Sequence, residues 1–394
     1  MTTTVELGEF TGLQLDSAEY GILDTNVLDG AISYTDVTDS VFAVSVARGR
    51  NRNLDRTNGG QITVQLRNEN RDFDPSYDLA TFGRYAVPRL PVRVFTNGTP
   101  VFTGISDDWR FDYQLGGNST AKLDGSDAFS LFAREVFAGG SVVSELTSAR
   151  INNVLDDIQI PWPTLERDIN TGQATLVADT LEGNVLQYLQ TIEASEGGLI
   201  FMTKDGKFAF RERQFQPVDT ALEFSDNGGG VPYQEIGLAY GTELLANDVT
   251  ITSPSGTVTK GNETSQIIYG VASLSVASLL VSGELDDLAD FVLFRYGLPE
   301  LRVESVTVNM KGLSTAQQND VLALELGSQA NVVFTPNQVG SEIAIQARVI
   351  GINHDISPDT HTVRFAFETI PLTYFVLDDA VFGKLDNTEG VLGF

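Results

Sequence analysis

The stretch "LPVRVFTNGTPVFTGI", Leu90–Ile105, decides the fold class. Apolar and polar residues alternate on both sides of Asn97-Gly98. A period of two marks a half-buried strand. Asn-Gly between two such runs signals a two-residue hairpin, because both turn positions need positive φ. The same alternation continues in "VFAVSVARG", "QITVQLRN" and "STAKLDGSD", after which "SDAFSLFARE" reads as a short helix capped by Ser126. Residues 39–138 are therefore expected to form a small antiparallel barrel or sandwich.

Working outward, the middle of the chain changes period. "SARINNVLDDI" puts Ile151, Val154, Leu155 and Ile158 on one helical face. "GNVLQYLQTIEASEGG" does the same with Val185, Leu186, Leu189 and Ile192, and "LIFMTKDGKFAFRER" is a hairpin turned at Asp205-Gly206. The Gly-rich "SDNGGGVPYQE" marks a boundary near 225–235. From Asn247 onward strands return with helical connections, repeating the first block in kind without a visible sequence repeat. The expected class is mainly β with an α+β insert: two antiparallel β-barrel or sandwich domains flanking a mixed α/β domain, with extended terminal arms. The boundaries are 1–38 (arm), 39–138 (β), 139–235 (mixed), 236–372 (β) and 373–394 (arm).

The chain has 394 residues, 53 acidic against 25 basic, and no cysteine. Zero cysteines exclude disulfides, thiol catalysis and thiolate metal sites. A net charge of −28 opposes nucleic-acid binding, which depends on Lys and Arg displacing counterions. No apolar run approaches the roughly 20 residues of a membrane span, so no membrane insertion is expected. "MTTTVELGEF" has neither the basic nor the apolar region of a secretory signal.

Chemistry-bearing groups are sparse. Asp107-Asp108, Asp156-Asp157 and Asp286-Asp287 supply paired carboxylates, but neighbours on a strand point to opposite faces. His354 and His361 sit in "NHDISPDTH", which reads as a hairpin, so they face one another across strands as a packing pair rather than as a metal site. Trp109 and Trp162 are the two tryptophans, and neither lies in an aromatic cluster of the sequence, which weighs against sugar binding on an aromatic platform. No phosphate loop, Gly-x-Ser-x-Gly or His-Glu-x-x-His motif occurs. No enzyme activity and no cofactor are expected.

Arg48, Arg50, Arg52 and Arg56 cluster in this acidic chain. They are candidates for an inter-subunit contact to carboxylates, the alternative being local pairing with Asp55 or Glu69. A ten-residue phrase also occurs twice, as "LDSAEYGILD" from Leu15 and "LDDAVFGKLD" from Leu377. Leu15, Asp16, Tyr20 and Leu23 in the first copy, and Leu377, Asp378, Phe382, Leu385 and Asp386 in the second, form candidate docking arms. Their apolar residues would enter grooves while the aspartates meet backbone donors or the arginine cluster.

"ARGRNRNLDRTNGGQITVQLRNENRDFDP" followed by "VPRLPVRVFTNGTPVFTGISDDW" resembles the minor tail proteins of long-tailed (siphovirus) bacteriophages, especially those of actinobacterial hosts. The family phrases stand here as Gly49-Arg50, Leu54-Asp55, Gly60, Asn70 to Pro75 and Leu90 to Arg93, with Leu90 where proline is more usual. "SQIIYGVASLSV" and the closing "VLDDAVFGKLDNTEGVLGF" resemble the same family. The resemblance implies tube-like β-domains and a structural role in the virion, in the baseplate hub at the distal end of the tail. It implies a homo-oligomer, with a trimer presenting six barrels. Its partners would be other tail proteins: tail tube, distal tail, tape measure, and tip or fibre proteins. DNA would pass through the channel without specific binding, and assembly would take place in the host cytoplasm. The alternatives carried are a hexameric distal tail ring and a peripheral carbohydrate-binding protein for host recognition.

Overall fold

The computed structural model describes residues 1–10, 32–52, 56–159, 161–213, 215 and 221–370. Asn97 (φ 49°) and Gly98 (φ 78°) both take left-handed backbone, so the expected turn joins β5 (Pro91–Thr96) to β6 (Thr99–Asp112). Around this hairpin lie β1 (Thr3–Phe10), β2 (Ile32–Asp36), β3 (Val41–Gly49), β4 (Asn58–Arg67) and β7 (Thr120–Ser126). The C-terminal part of the chain adds β8 (Leu222–Ser225), β9 (Glu235–Tyr240), β10 (Leu301–Asn309), β11 (Gln329–Phe334), β12 (Ile343–Ile356) and β13 (His361–Thr369).

These thirteen strands form one sheet. In the first block the order is β3-β4-β7-β6-β5-β1, and in the second it is β9-β10-β13-β12-β11-β8. Apart from β2, which continues the first block beyond β1, the two orders are the same, strand for strand. The correspondence reaches the irregularities: β6 and β12 each have 14 residues. Each carries one extra residue against the following strand, Asp107 in β6 and Ile350 in β12. The blocks differ at one end, where β1 is antiparallel to β5 but β8 is parallel to β11.

One strand joins the blocks. Residues 343–348 of β12 pair with β11, and residues 351–356 pair with β3. At the fork the chains approach closely: a Cβ on Gly49 would lie 2.3 Å from the Ile350 carbonyl oxygen, and Gly49 has φ +83°. Only glycine meets both conditions. Arg50 N–H then donates to that carbonyl at 2.8 Å. A single apolar core runs through both blocks, from Val5, Val44, Ile62 and Leu123 to Val306, Val332, Ile352 and Phe365.

The mixed unit has its own core, in which Phe129, Ile151, Val154, Leu189, Ile192, Phe208 and Phe210 meet Val249, Ile251, Leu288 and Val292. The helical faces expected over Thr147–Asp157 and Val185–Glu196 point into it.

Several expectations are corrected. Thr3–Phe10 was expected in an arm but is an interior strand, with Val5 and Leu7 buried between β5 and β2. The small sheet of Asp248–Ser253, Gly256–Gly261 and Ser273–Ala277, with helix Leu285–Tyr296, joins the mixed core rather than the second β-block. Leu222–Ser225 does the reverse and pairs with β11. Alternation locates a strand, but the core it joins depends on distant partners. Ser126 does not cap the short helix after β7, whose N-cap position is Ala128, and the acceptor ahead of its first turn is Asp127. Asp127 accepts from Phe129 N–H at 3.0 Å and from Gly60 N–H at 2.5 Å. Burial pushes its carboxyl up to about 7 despite those donors.

His354 and His361 meet across the β12–β13 hairpin, one ring nitrogen donating to the other at 3.1 Å, and both are buried. Burial depresses both imidazoles. His354 is held well below its usual value, with help from His361, Arg48 and Lys204, while His361 falls to about 4 with help from Lys311. A depressed histidine is neutral in the fold and binds a proton on unfolding. Its contribution is therefore complete above about pH 6.5 and disappears as pH falls through 4, on the order of 3 kcal/mol for His361. Asp127 acts with the opposite sign, losing stability as pH rises from about 4 to about 7. Comparing the parent with His361→Gln cancels the Asp127 contribution. Urea midpoints between pH 7 and pH 4.5 should fall more steeply for the parent than for the variant, and parallel curves would reject this account.

Candidate assembly interface

The four clustered arginines go to three different places. Arg48 is buried, donating to Glu325 Oε1 at 2.5 Å and to the Met202 carbonyl at 2.8 Å. Glu325 Oε2 accepts from Lys204 N–H at 2.9 Å, and Lys204 Nζ donates to the carbonyls of Leu322 (2.6 Å) and Ala323 (2.9 Å). Burial lowers the Lys204 amine, and Glu325 opposes that shift. The first β-block, the mixed unit and the second β-block thus meet at one charged clamp. Arg48 is an internal residue here, not the subunit contact expected from sequence, and its partner lies 277 positions away.

Arg50 and Arg56 line a cavity of about 150 Å³ together with Arg213, Arg295 and Arg348. Arg295 pairs with Glu368 at 2.6 Å and donates to the Thr369 carbonyl at 3.0 Å. Burial alone would raise the Glu368 carboxyl, but Arg295, Arg348 and Arg50 hold it low. Sequence spacing gave no sign of the three added arginines, which arrive from distant elements. Arg52 is exposed and pairs with Glu243 at 2.9 Å. Leu15, Asp16, Tyr20, Leu23, Leu377, Asp378, Phe382, Leu385 and Asp386 lie outside the described residues, as does Asp55.

The acid pairs are separately engaged. Asp107 meets Arg89 at 3.2 Å and accepts from Ser126, while Asp156 meets Arg167 at 2.6 Å and Asp286 meets Lys260 at 2.9 Å.

Trp109 does belong to an aromatic cluster, contrary to the sequence expectation. Phe82, Phe73, Trp109, Phe111 and Tyr113 form a row with ring centroids 5.1, 6.1, 6.3 and 6.5 Å apart, all stacked. Alternate positions on the half-buried face of β6 and its continuation supply Trp109, Phe111 and Tyr113, and the connection over 68–90 supplies Phe73 and Phe82. Trp162 meets Phe132 edge-on at 5.5 Å. The faces of the row are turned toward one another, so its rings present mainly edges to a partner.

Two of the unpaired strand edges among the described residues carry apolar stripes. One is the outer edge of β9, where Leu238 and Tyr240 are 38% and 70% exposed. The other is the part of β6 beyond the end of β5, residues 108–112, on the side away from β7. Both edges carry alternating apolar residues: Ile236, Leu238 and Tyr240 on one, Trp109 and Phe111 on the other, continued by Tyr113, which is 50% exposed.

No family model matches the sequence, and no curated protein does. Solved structures do. A tail protein from Neisseria meningitidis MC58 matches at 14% identity and a TM-score of 0.59, over 93% of this chain and 97% of that one. The 43 kDa tail protein of prophage MuSo2 from Shewanella oneidensis matches at 11% identity and a TM-score of 0.55, over 92% and 97%. An E. coli component of the type VI secretion system, described as structurally similar to T4 bacteriophage tail proteins gp27 and gp5, matches at 8% identity and a TM-score of 0.53, over 84% and 74%. The chain shares the β-rich fold of these tail and secretion-system proteins.

Removing one partner of a buried ion pair leaves the other charge uncompensated, typically costing about 3–5 kcal/mol. Glu325→Ala should therefore destabilise the chain by roughly 3 kcal/mol. Arg48→Met/Glu325→Leu together should cost less than the sum of the single changes, read from denaturant unfolding in a double-mutant cycle. Additive losses would mean that the clamp is not a coupled pair.

Proposed function

We propose that the chain is a structural subunit of the hub at the distal end of a bacteriophage tail, of the long-tailed actinobacteriophage type, and that it acts as a homotrimer. The observation that carries this reading is the six-strand order that occurs twice in one continuous sheet. Three chains then supply six equivalent β-blocks, the number needed to continue a six-fold tube. A hexamer would supply twelve, so the internal repeat favours three copies over a six-copy distal ring. The fold shared with tail proteins and the sequence resemblance point the same way.

In this role the partners are other tail proteins, above in the tube and distal ring and below in the tip, and assembly takes place in the host cytoplasm. The role is mechanical rather than catalytic: the carboxylates weighed for chemistry stand in separate ion pairs. The charge of −28 suits a wall past which DNA must slide without sticking. Fixed acids repel phosphates over roughly 8 Å at physiological salt.

Density for the tail tip tests both parts. Three copies on the tail axis, each contributing two similar β-blocks to a ring, are expected, and one or six copies would reject the trimer. Mapping charge onto that ring should place carboxylates on the inner wall. A neutral or basic lumen would remove the proposed role of the acids while leaving the trimer intact.

A further inference from the structure

The internal repeat relates the seam inside the chain to two of the free edges outside it. Matching the bulges of β6 and β12 sets Asp107 against Ile350. Trp109, Phe111 and Tyr113 then correspond to Ile352, His354 and Ile356. In the seam those three residues lie opposite Arg48, Val46 and Val44 of β3. By strand order, β3 corresponds to β9. Its register agrees: Ser45 faces Thr63, which faces Asp124, as Gly237 faces Ser305, which faces Ala366. Asp124 and Ala366 are themselves matched, because each is the first partner after its bulge.

We propose that residues 109–113 of one copy pair antiparallel with β9 of the next copy, repeating between chains the β12–β3 seam found within each chain. This rests on the trimeric reading, and three such contacts close the ring. Carrying the seam register across places Tyr113 opposite Ile236, Asp112 opposite Gly237, Phe111 opposite Leu238, Arg110 opposite Ala239 and Trp109 opposite Tyr240. Every large apolar residue of one edge then meets an apolar residue of the other, all on one face. Because period-2 alternation fixes which face a side chain takes, a shift of one residue would set Phe111 against Gly237 and lose this match. The contact is heterologous, since two different edges meet, and such contacts close rings when the rotation between copies permits. The occupant of each edge is therefore a second copy of this chain.

The absence of cysteine allows a clean crosslinking test. Arg110→Cys combined with Ala239→Cys creates a directly opposed pair between copies, at a spacing that a disulfide spans. Ser45→Cys with Asp355→Cys creates a directly opposed pair in the seam inside one chain, two residues along from the equivalent position, where Ser45 Oγ now donates to Asp355 Oδ1 at 2.9 Å. Full-length protein is oxidised at about 0.5 M salt, which screens the repulsion between copies. The first variant should give a covalent trimer, with the bond between positions 110 and 239 of different chains mapped by mass spectrometry. The second should stay at monomer mass with an internal link. Adding Tyr240→Asp to the first variant should leave its Tm unchanged, because Tyr240 is exposed, yet slow trimer formation at least tenfold. Loss of crosslinking while the internal control still forms its bond would overturn the pairing. So would a ladder running past three, or a Tyr240→Asp chain that crosslinks as fast as its parent. A three-copy tail tip lacking the link would reject this pairing and leave the hub reading standing.

Discussion

The structure depends on one strand that changes partners halfway along. For its first six residues β12 completes the second block against β11, and after the extra residue Ile350 it belongs equally to the first block through β3. A β-strand has two edges, and a strand that holds both for its full length can belong to only one block. The bulge at Ile350 removes that limit by turning the second half away from β11. The close approach at Gly49 then allows β3 to replace β11 without a gap in the ladder. Two domains that could have been joined by a linker are instead joined by backbone hydrogen bonds, so their relative orientation is fixed by sheet geometry. The proposed ring, in which each subunit would occupy two sixths, would need that rigidity.

Electrostatics reinforce the same junction. Arg48 is one of the β3 residues paired at the fork, opposite Ile352, and its guanidinium reaches the second block at Glu325 and the mixed unit at Met202. A buried pair of this kind contributes little net stability compared with apolar residues of the same size, because desolvation offsets most of the attraction. Its effect is geometric. The carboxylate of Glu325 also accepts the Lys204 amide, while the Lys204 amine holds the end of helix Thr315–Ala323 through its last carbonyls. Three chain segments can satisfy those donors and acceptors in one relative placement, and any other leaves a buried charge without its partner.

Much of this was legible in the sequence, and what was missed has a common physical origin. The Asn97-Gly98 hairpin, the helical face at Ile151 and Val154, and the pairing of His354 with His361 all follow from residues close together in the chain. By contrast, the partner of Arg48, the arginines that join Arg50 and Arg56, and the phenylalanines stacked on Trp109 come from segments far away. Thr3–Phe10 was misread because the Leu-Asp pairs after it suggested an arm, although Val5 and Leu7 already alternate. The repeat itself left no trace in residue identity: Ile352 matches Trp109 and His354 matches Phe111. What repeats is the strand order, the position of a bulge and a register, and these are set by backbone pairing.

The remaining feature is a tension between the edges and the charge. An exposed edge with alternating apolar residues templates further pairing, and natural proteins usually blunt such edges with charge or proline. Here the stripes at Trp109 to Tyr113 and Ile236 to Tyr240 carry Arg110, Asp112 and Glu235 only on or beside the opposite faces. The net charge of −28 supplies a global barrier in place of a local one. Long-range repulsion between identical chains is screened within roughly 8–10 Å at moderate salt, whereas strand pairing acts at contact. In the proposed assembly the barrier would slow random encounters and give way where a neighbouring tail protein held two copies in register. Edges left open and a body kept highly charged are together what a subunit requires if it is to stay apart in solution and close a ring on a template.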